Sequence, residues 1–255
     1  MTYDCRKTKS MPGSHFPSLF LPVTGNMEYN ISGGIMIKHI VCLGDSNTHG
    51  YAADTNDTGD GSNRFNEEER WTRLLQKELG EEDYLVLEEG LGGRTTVFKD
   101  PLHEGMDALS VIYPILMSHE PVDLLIIMLG TNDTKERFNA SPLVISCGLE
   151  RLIKKAKDTE CWRYGKPNIL VICPPPIREE FKEVFDVEWM GSDCVRKSRE
   201  LPYYYEKVCE RSGVRFFNAV DCEFNKVDCM HLTRKGHREL VSSIVGIVRD
   251  ATRDD

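Results

Sequence analysis

The sequence lacks any long apolar run. Nowhere does it contain the ~18 consecutive apolar residues that a membrane-spanning helix needs. Its composition, 40 % hydrophobic and 29 % charged, is typical of a soluble globular protein. We therefore expect no membrane span, and the 255 residues leave room for one sizeable domain with at most a small appendage.

An excess of basic residues is also missing. The chain has 32 Lys and Arg against 41 Asp and Glu, which gives a net charge of -9. Affinity for nucleic acid is supplied largely by clustered Lys and Arg that neutralise phosphates. The charge balance therefore predicts no nucleic-acid partner.

The cysteines show no pairing pattern. Nine are scattered along the chain, an odd number, and no Cys-x-x-Cys occurs. Cys42 and Cys173 lie inside apolar runs that we predict to be buried strands. This usage is typical of a reducing compartment, so the sequence predicts a cytoplasmic protein.

Residues 1–37 differ in composition from the rest of the chain. They mix charge, proline and glycine, and no apolar stretch long enough for a signal peptide is followed by a cleavage site. Met36 directly precedes the first predicted strand, so it could itself be the translation start, and the sequence leaves this open. We expect a poorly ordered N-terminal extension over residues 1–37 and one folded domain over residues 38–255.

From residue 38 onward, short apolar runs alternate with segments of helical periodicity. Strands are predicted at 38–43, 83–88, 123–129, 168–173 and 214–218, and helices at 67–79, 103–119, 142–158, 193–212 and 233–251. Pro114 should kink or divide its helix, and a break is expected near Pro202. The segment 177–192 is predicted to be irregular. This alternation predicts an α/β fold with a five-stranded parallel sheet and helices on both faces.

Chemically useful residues follow four of the five predicted strands. Ser46 follows the first strand, Gly93 the second, Asn132 the third and His231 the fifth. Parallel strands end at one edge of the sheet, where open α/β sheets bind their ligands. Ser46 is predicted to be a nucleophile, His231 its general base, and Asp228, three residues earlier, the carboxylate that orients the imidazole.

Acyl transfer also needs donors directed at the developing oxyanion. The backbone N–H groups of Ser46 and Gly93 and the side-chain amide of Asn132 are predicted to supply them, and glycine leaves the approach open because it has no Cβ. No cluster of metal ligands is evident, so we expect neither a metal nor another cofactor.

Each of these residues has a structural alternative when it is taken alone. Ser46 and Asn132 could cap helices, Asp228 could be a loop carboxylate and His231 a surface histidine. His49 is a rival base because it lies near Ser46 in sequence, but it has no comparably close carboxylate. The joint occurrence of all the residues at matching strand ends favours catalysis.

Four blocks of this sequence resemble the signature blocks of the SGNH (GDSL) hydrolases. They are Gly44-Asp45-Ser46, Gly93-x-Thr95, Gly130-Thr131-Asn132-Asp133 and Asp228-Cys229-Met230-His231. The segments 88–96 and 123–135 and the run Cys173-Pro-Pro-Pro are similar to the arylesterase and acyltransferase branch. The resemblance implies a three-layer flavodoxin-like fold, a Ser-His-Asp triad without a metal, and small acyl esters as substrates.

One departure from the family motif concerns the residue after the nucleophile. Asn47 stands where the motif has Leu. A second departure is that Cys229 and Met230 fill positions that vary in the family. Neither departure removes a catalytic group, so we expect the reaction to be retained, while the shape of the pocket is left open.

The leading hypothesis is a serine esterase that acts through an acyl-enzyme on short-chain or aryl esters, or on acetylated carbohydrates. Alternatives are a lysophospholipase-type acylhydrolase and a non-enzymatic flavodoxin-like binding module, which the acidic Asp45 in the place of a phosphate-binding loop disfavours. The expected partners are a small ester and an alcohol or water as acceptor. Phe181, Phe185, Trp189 and Met190 could form an apolar wall that favours an alcohol over water, or could pack in the core or in the subunit contact of a homo-oligomer.

Overall fold

Five parallel strands form the centre of the computed structural model, which describes residues 36–184 and 187–253. The strands are β1 (Lys38–Gly44), β2 (Tyr84–Gly90), β3 (Leu124–Met128), β4 (Ile169–Cys173) and β5 (Arg215–Asn218). They are ordered β2-β1-β3-β4-β5, and every neighbouring pair is parallel. The predicted five-stranded parallel sheet is confirmed, and its order is that of flavodoxin-like folds.

Helices cover both faces of this sheet. They are α1 (Ser46–His49), α2 (Trp71–Leu79), α3 (Ala108–Ser118), α4 (Pro142–Lys157), α5 (Phe181–Val184), α6 (Val187–Met190), α7 (Cys194–Ser212) and α8 (Arg234–Ala251). Alternate strand residues point to opposite faces. Val41 and Leu43 therefore pack with α3, α4 and α7, whereas Ile40 and Cys42 pack with α2 and α8. The result is the predicted three-layer arrangement.

The prolines inside two helices do not divide them. Pro114 lies within α3 and Pro202 within α7, so the predicted break near Pro202 is wrong. Leu201 and Tyr205, which flank Pro202, are buried in the core. Tertiary packing of the apolar helix face thus outweighs the loss of one backbone hydrogen bond.

Other boundaries also differ from the prediction. Helix α3 begins only at Ala108, because the Asp107 side chain caps it by accepting a hydrogen bond from the Ser110 N–H at 2.9 Å. The segment predicted to be irregular contains the single turns α5 and α6. Most of the predicted extension, residues 1–35, and Phe185 lie outside the described residues. Among the residues described, no helix is long and apolar enough to cross a membrane.

Candidate active site

Ser46 lies where β1 meets α1, at the carboxyl edge of the sheet. Asp45 caps α1 by accepting a hydrogen bond from the Asn47 N–H at 3.0 Å. Two glycines allow the helix to approach the strand ends: a Cβ on Gly44 would lie 1.9 Å from Thr48 Oγ1, and one on Gly90 would lie 2.2 Å from the His49 nitrogen. Side chains at these positions would therefore displace the turn that carries Ser46.

His231 contacts both Ser46 and Asp228. Its Nε2 lies 2.7 Å from Ser46 Oγ, and its Nδ1 lies 2.6 Å from Asp228 Oδ2. This geometry fits a tautomer in which Nδ1–H donates to the carboxylate while Nε2 accepts from the serine hydroxyl. Tyr51 packs edge-on against the imidazole, with ring centroids 4.7 Å apart.

The Asp228 carboxylate is buried and fully hydrogen-bonded. Its Oδ1 accepts from the backbone N–H groups of Met230 and His231 at 3.1 and 3.2 Å and from Asn225 Nδ2 at 3.0 Å. Burial alone would raise the pKa of Asp228, but the hydrogen bond and the charge of His231, together with these N–H donors, lower it below its usual value. The carboxylate therefore stays ionised beside the imidazole at neutral pH.

Asn132 begins a short 3-10 turn four residues after the end of β3 and is 8 % exposed. Its Nδ2 lies 3.5 Å from Asp45 Oδ2, a long contact that leaves the amide free to approach a substrate. The next residue, Asp133, is buried and accepts hydrogen bonds from the Thr96 hydroxyl and, at 2.9 Å, from the Thr96 N–H. This link fastens the turn after β3 to the loop after β2.

The loop after β2 brings Gly92 against the serine and Gly93 into the lining of the same cavity. A Cβ on Gly92 would lie 4.0 Å from the Ser46 Cβ. Gly93 has a φ of 87°, a conformation that favours glycine. Its N–H donates no hydrogen bond to any residue in the described part of the chain. A donor is thus available in a residue that lines the same cavity as Ser46.

One cavity of about 320 Å³ joins these residues. Its lining consists of Ser46, Tyr51, Gly92, Gly93, His103, Met106, Thr131, Asn132, Lys135, Trp189, Met190, Asp228, Met230 and His231. The structure therefore brings together all five residues that the sequence placed in a site. His49 is not in the lining, and its backbone carbonyl accepts from Arg64 Nε at 2.9 Å, so the rival base lies apart from the cavity.

Burial raises the pKa of two acids next to the cavity. Asp45 and Asp133 are 0 % exposed, and the pKa of each rises to about 6. Lys135 is 2 % exposed, and burial followed by the charge of Arg137 lowers its pKa. Within residues 36–184 and 187–253, no group of three or more His, Cys, Asp or Glu side chains could hold a metal ion.

The aromatic segment contributes unequally to the cavity. Trp189 and Met190 line it, whereas Phe181 is buried in a small cluster with Ile177, Cys229 and Met230. Arg137 holds Trp189 in place: its guanidinium lies 4.6 Å from the indole centroid and donates to the Trp189 carbonyl at 2.8 Å. The two sequence alternatives, cavity wall and core packing, therefore each apply to part of this segment.

Comparisons with known proteins identify relatives of this chain. A model of the GDSL-like lipase/acylhydrolase family matches residues 42–239. No curated protein matches the chain. A solved carbohydrate acetylesterase family member from Sinorhizobium meliloti is 30 % identical, with a TM-score of 0.74 over 85 % of this chain and 99 % of its own.

An aryl esterase from M. smegmatis is 34 % identical, with a TM-score of 0.71 over 84 % of this chain and 99 % of its own. Est24, a second carbohydrate acetylesterase from S. meliloti, is 32 % identical, with a TM-score of 0.73 over the same shares of the two chains. These identities and the family model cover most of the chain. The protein belongs to the GDSL-like lipase/acylhydrolase family, the SGNH hydrolases, and is a carboxylic ester hydrolase.

Proposed function

We propose that this protein is a serine esterase of short-chain acyl esters in which Ser46, His231 and Asp228 form the catalytic triad. The observation that carries the proposal is the continuous hydrogen-bonded chain from Ser46 Oγ through the imidazole to the Asp228 carboxylate, inside a cavity. It joins a nucleophile, a base and an orienting carboxylate in the geometry that acyl transfer requires.

In the acylation step, Ser46 Oγ attacks the ester carbonyl carbon while His231 Nε2 accepts the hydroxyl proton. The tetrahedral intermediate collapses when the carbon–oxygen bond to the alcohol breaks, and His231 returns its proton to the departing alkoxide. Water, deprotonated by the same imidazole, then releases the acid and regenerates Ser46. Asp228 stabilises the imidazolium that forms in both steps.

The oxyanion is held by the backbone N–H groups of Ser46 and Gly93 and by the Asn132 amide. Ser46 is the first residue of α1, so its N–H has no acceptor within the helix. The N–H of Gly93 and the loosely held Nδ2 of Asn132 line the same cavity. Donors fixed before the reaction stabilise the developing charge without reorganisation.

The size of the cavity supports small substrates. About 320 Å³ is at the lower end of the range for ligand pockets, and its wall at Trp189, Met190 and Met106 is apolar. Structural relatives described as carbohydrate acetylesterases and as an aryl esterase also favour acetyl or similar short acyl groups on a sugar or aryl alcohol. A long-chain lipid is a poorer match.

A panel of p-nitrophenyl esters from acetate to palmitate, with and without a serine-directed phosphonate, tests this function. We expect the highest kcat/KM for acetate or propionate, full inhibition by the phosphonate, and the adduct on Ser46 by mass spectrometry. A maximum at palmitate would support a lipid acylhydrolase instead. A folded protein that hydrolyses none of the esters would contradict the proposed activity on short-chain acyl esters.

Acyl transfer to alcohols is a second candidate activity, favoured by Trp189 and Met190 in the cavity wall. An apolar wall over the acyl-enzyme disfavours water and binds the body of an alcohol. With vinyl acetate and benzyl alcohol in water, we expect more benzyl acetate relative to acetic acid than bulk competition gives.

Two variants sharpen the transfer test. Trp189→Ser should lower the ratio of benzyl acetate to acetic acid, whereas Tyr164→Ser, at an exposed tyrosine outside the cavity, should leave it unchanged. A wild-type ratio no higher than competition from bulk water would leave a plain esterase.

A further inference from the structure

Asn47, the residue after the nucleophile, is buried and forms hydrogen bonds to a distant segment of the chain. Asn47 does not line the cavity and is 1 % exposed, whereas Met230, in the other departure from the family motif, does line it. Instead the Asn47 side-chain amide reaches the loop that carries His231. Asn47 Oδ1 accepts from the Leu232 N–H at 2.9 Å, and Asn47 Nδ2 donates to the Met230 carbonyl at 3.3 Å.

These two partners are the residues immediately before and after His231. One side chain, adjacent to the nucleophile, therefore holds the backbone on both sides of the base. Its own backbone is fixed by the hydrogen bond from its N–H to the Asp45 carboxylate. Ser46 and His231 are separated by 185 positions, and Asn47 connects their two segments directly.

The loop of His231 needs such a connection. It follows β5, an edge strand, and before α8 begins at Arg234 it contains no helix or strand, only an isolated bridge between Phe224 and Leu232. Asn225 supports the loop from within, since its Nδ2 donates to the His231 carbonyl at 2.8 Å and to Asp228 Oδ1 at 3.0 Å. Neither of these bonds ties the loop to the nucleophile, whereas both bonds of Asn47 do.

We propose that Asn47 is a positioning residue that keeps the His231 imidazole in hydrogen-bonding register with Ser46 Oγ. The proposal rests on the proposed function of the triad. A Leu at this position can neither accept from Leu232 nor donate to Met230, so it would free the loop to shift. Displacement of a catalytic group by about 1 Å can cost on the order of 100-fold in rate.

Asn47→Leu is the direct test, with Asn168→Leu as the matched control. Asn168 makes the same kind of contact at the opposite end of the sheet, donating to the carbonyls of Asp123 and Ala251 at 2.7 and 2.8 Å. With active sites counted by phosphonate titration, Asn47→Leu should lower kcat about 10- to 100-fold with little change in KM. Asn168→Leu should lower the melting temperature with kcat unchanged. Equal kcat values in both variants would overturn the proposal.

Asn47→Asp supplies a second readout that a merely structural residue would not move. A carboxylate keeps the acceptor for Leu232 but turns an acceptor toward the Met230 carbonyl, and protonation restores a donor there. The activity of Asn47→Asp relative to wild type should therefore rise as the pH falls from 8 to 5.5, while that of Asn47→Leu stays flat. Parallel profiles of the two variants would contradict the proposed donor role.

The His231→Ala background separates this proposal from the triad itself. If Asn47 acts through His231, then Asn47→Leu should cost less than about 2-fold when the imidazole is already absent. A full additional loss in that background would show that Asn47 acts elsewhere. If His231→Ala alone kept its activity, the triad assignment itself would be wrong. Failure of the triad and failure of the Asn47 proposal therefore give different results.

Discussion

The nucleophile and the base of this site are held in place by different means. Ser46 lies two residues after the end of β1 and Asn132 four residues after the end of β3, and both strands are in the interior of the sheet. His231 lies in a loop well beyond β5, at the edge of the sheet, and is held by side-chain amides, a carboxylate and a backbone hydrogen bond from Asn225 within the loop. Sheet register therefore fixes one side of the site, whereas local hydrogen bonds, most of them from side chains, fix the other.

This difference determines which residues matter beyond those that touch substrate. On the nucleophile side, backbone geometry sets positions, and the sensitive residues are glycines such as Gly44 and Gly90 that admit close packing. On the base side, removal of one buried amide leaves backbone groups without partners and frees the loop. Substitutions remote from the chemistry should thus impair the base before they impair the nucleophile.

The largest effect is expected at the nucleophile. Ser46→Ala should lower the hydrolysis rate by about a million-fold, the scale found when a triad serine is lost, while the fold is retained. Steady-state rates on p-nitrophenyl acetate, with circular dichroism as a check on folding, measure it. If Ser46→Ala kept a tenth of the activity, Ser46 would not be the nucleophile, and the contrast between the two sides of the site would no longer hold.

Nearly as large a loss is expected on the base side. His231→Ala should approach the effect of Ser46→Ala, because neither group works without the other. His49→Ala should be mild, since His49 does not line the cavity. Parallel rate measurements on the two variants decide between the histidines, and the reverse order of effects would exclude the pairing of Asp228 with His231.

Asn132→Ala should lose about 100- to 1,000-fold in kcat, because one fixed donor to the oxyanion is removed. The fold should persist, since the adjacent Asp133 still holds Thr96. If Asn132 were only a helix cap, the melting temperature would fall by the few degrees expected for ~1 kcal/mol, with kcat unchanged. Measuring kcat and Tm on one preparation separates these roles.

The sequence predicted most of what the backbone determines. The apolar runs of β1 and β3 and the polar residues after them located the strand ends, and through these the residues of the cavity. The run 193–212 showed helical periodicity, but its proline suggested a break that core packing overrides. Local pattern thus located the strands and helices, but it did not reveal how core packing treats a proline inside one of them.

Contacts between distant segments could not be predicted in this way. The partners of Asn47 lie 183 and 185 positions away, so no local spacing reveals them. A polar residue at a position where the family motif has Leu was the available signal, because a buried amide requires partners. Asn225 could have been found from its place three residues before Asp228, a spacing typical of side chains that bond nearby backbone N–H groups.

The smallest predicted effect concerns how stability depends on pH. The sign of this dependence differs between a histidine on the base side of the site and two carboxyl groups on the nucleophile side. On α8, beyond the base loop, His237 is 0 % exposed and its Nδ1 accepts from the Trp71 N–H at 3.2 Å. Burial, aided by the charges of His231 and Arg70, lowers its pKa to about 3. Between pH 6.5 and about 3 the unfolded chain therefore binds a proton that the folded one does not, and stability falls as the pH falls.

Asp45 and Asp133 on the nucleophile side act in the opposite direction. Their folded pKa values of about 6 exceed the ordinary 3.8, so the folded state binds protons first and their contribution to stability rises as the pH falls through this range. When the pH is lowered from 7.5 to 5.0, the free energy of unfolding should therefore fall by about 2 kcal/mol more in wild type than in His237→Gln, because one pKa unit corresponds to about 1.4 kcal/mol. Urea unfolding of both proteins at the two pH values measures this difference, and it is insensitive to any constant cost of losing the Trp71 contact. If the free energy of unfolding changed by the same amount in both proteins, His237 would not be kept neutral by folding, and it would not be a source of acid sensitivity.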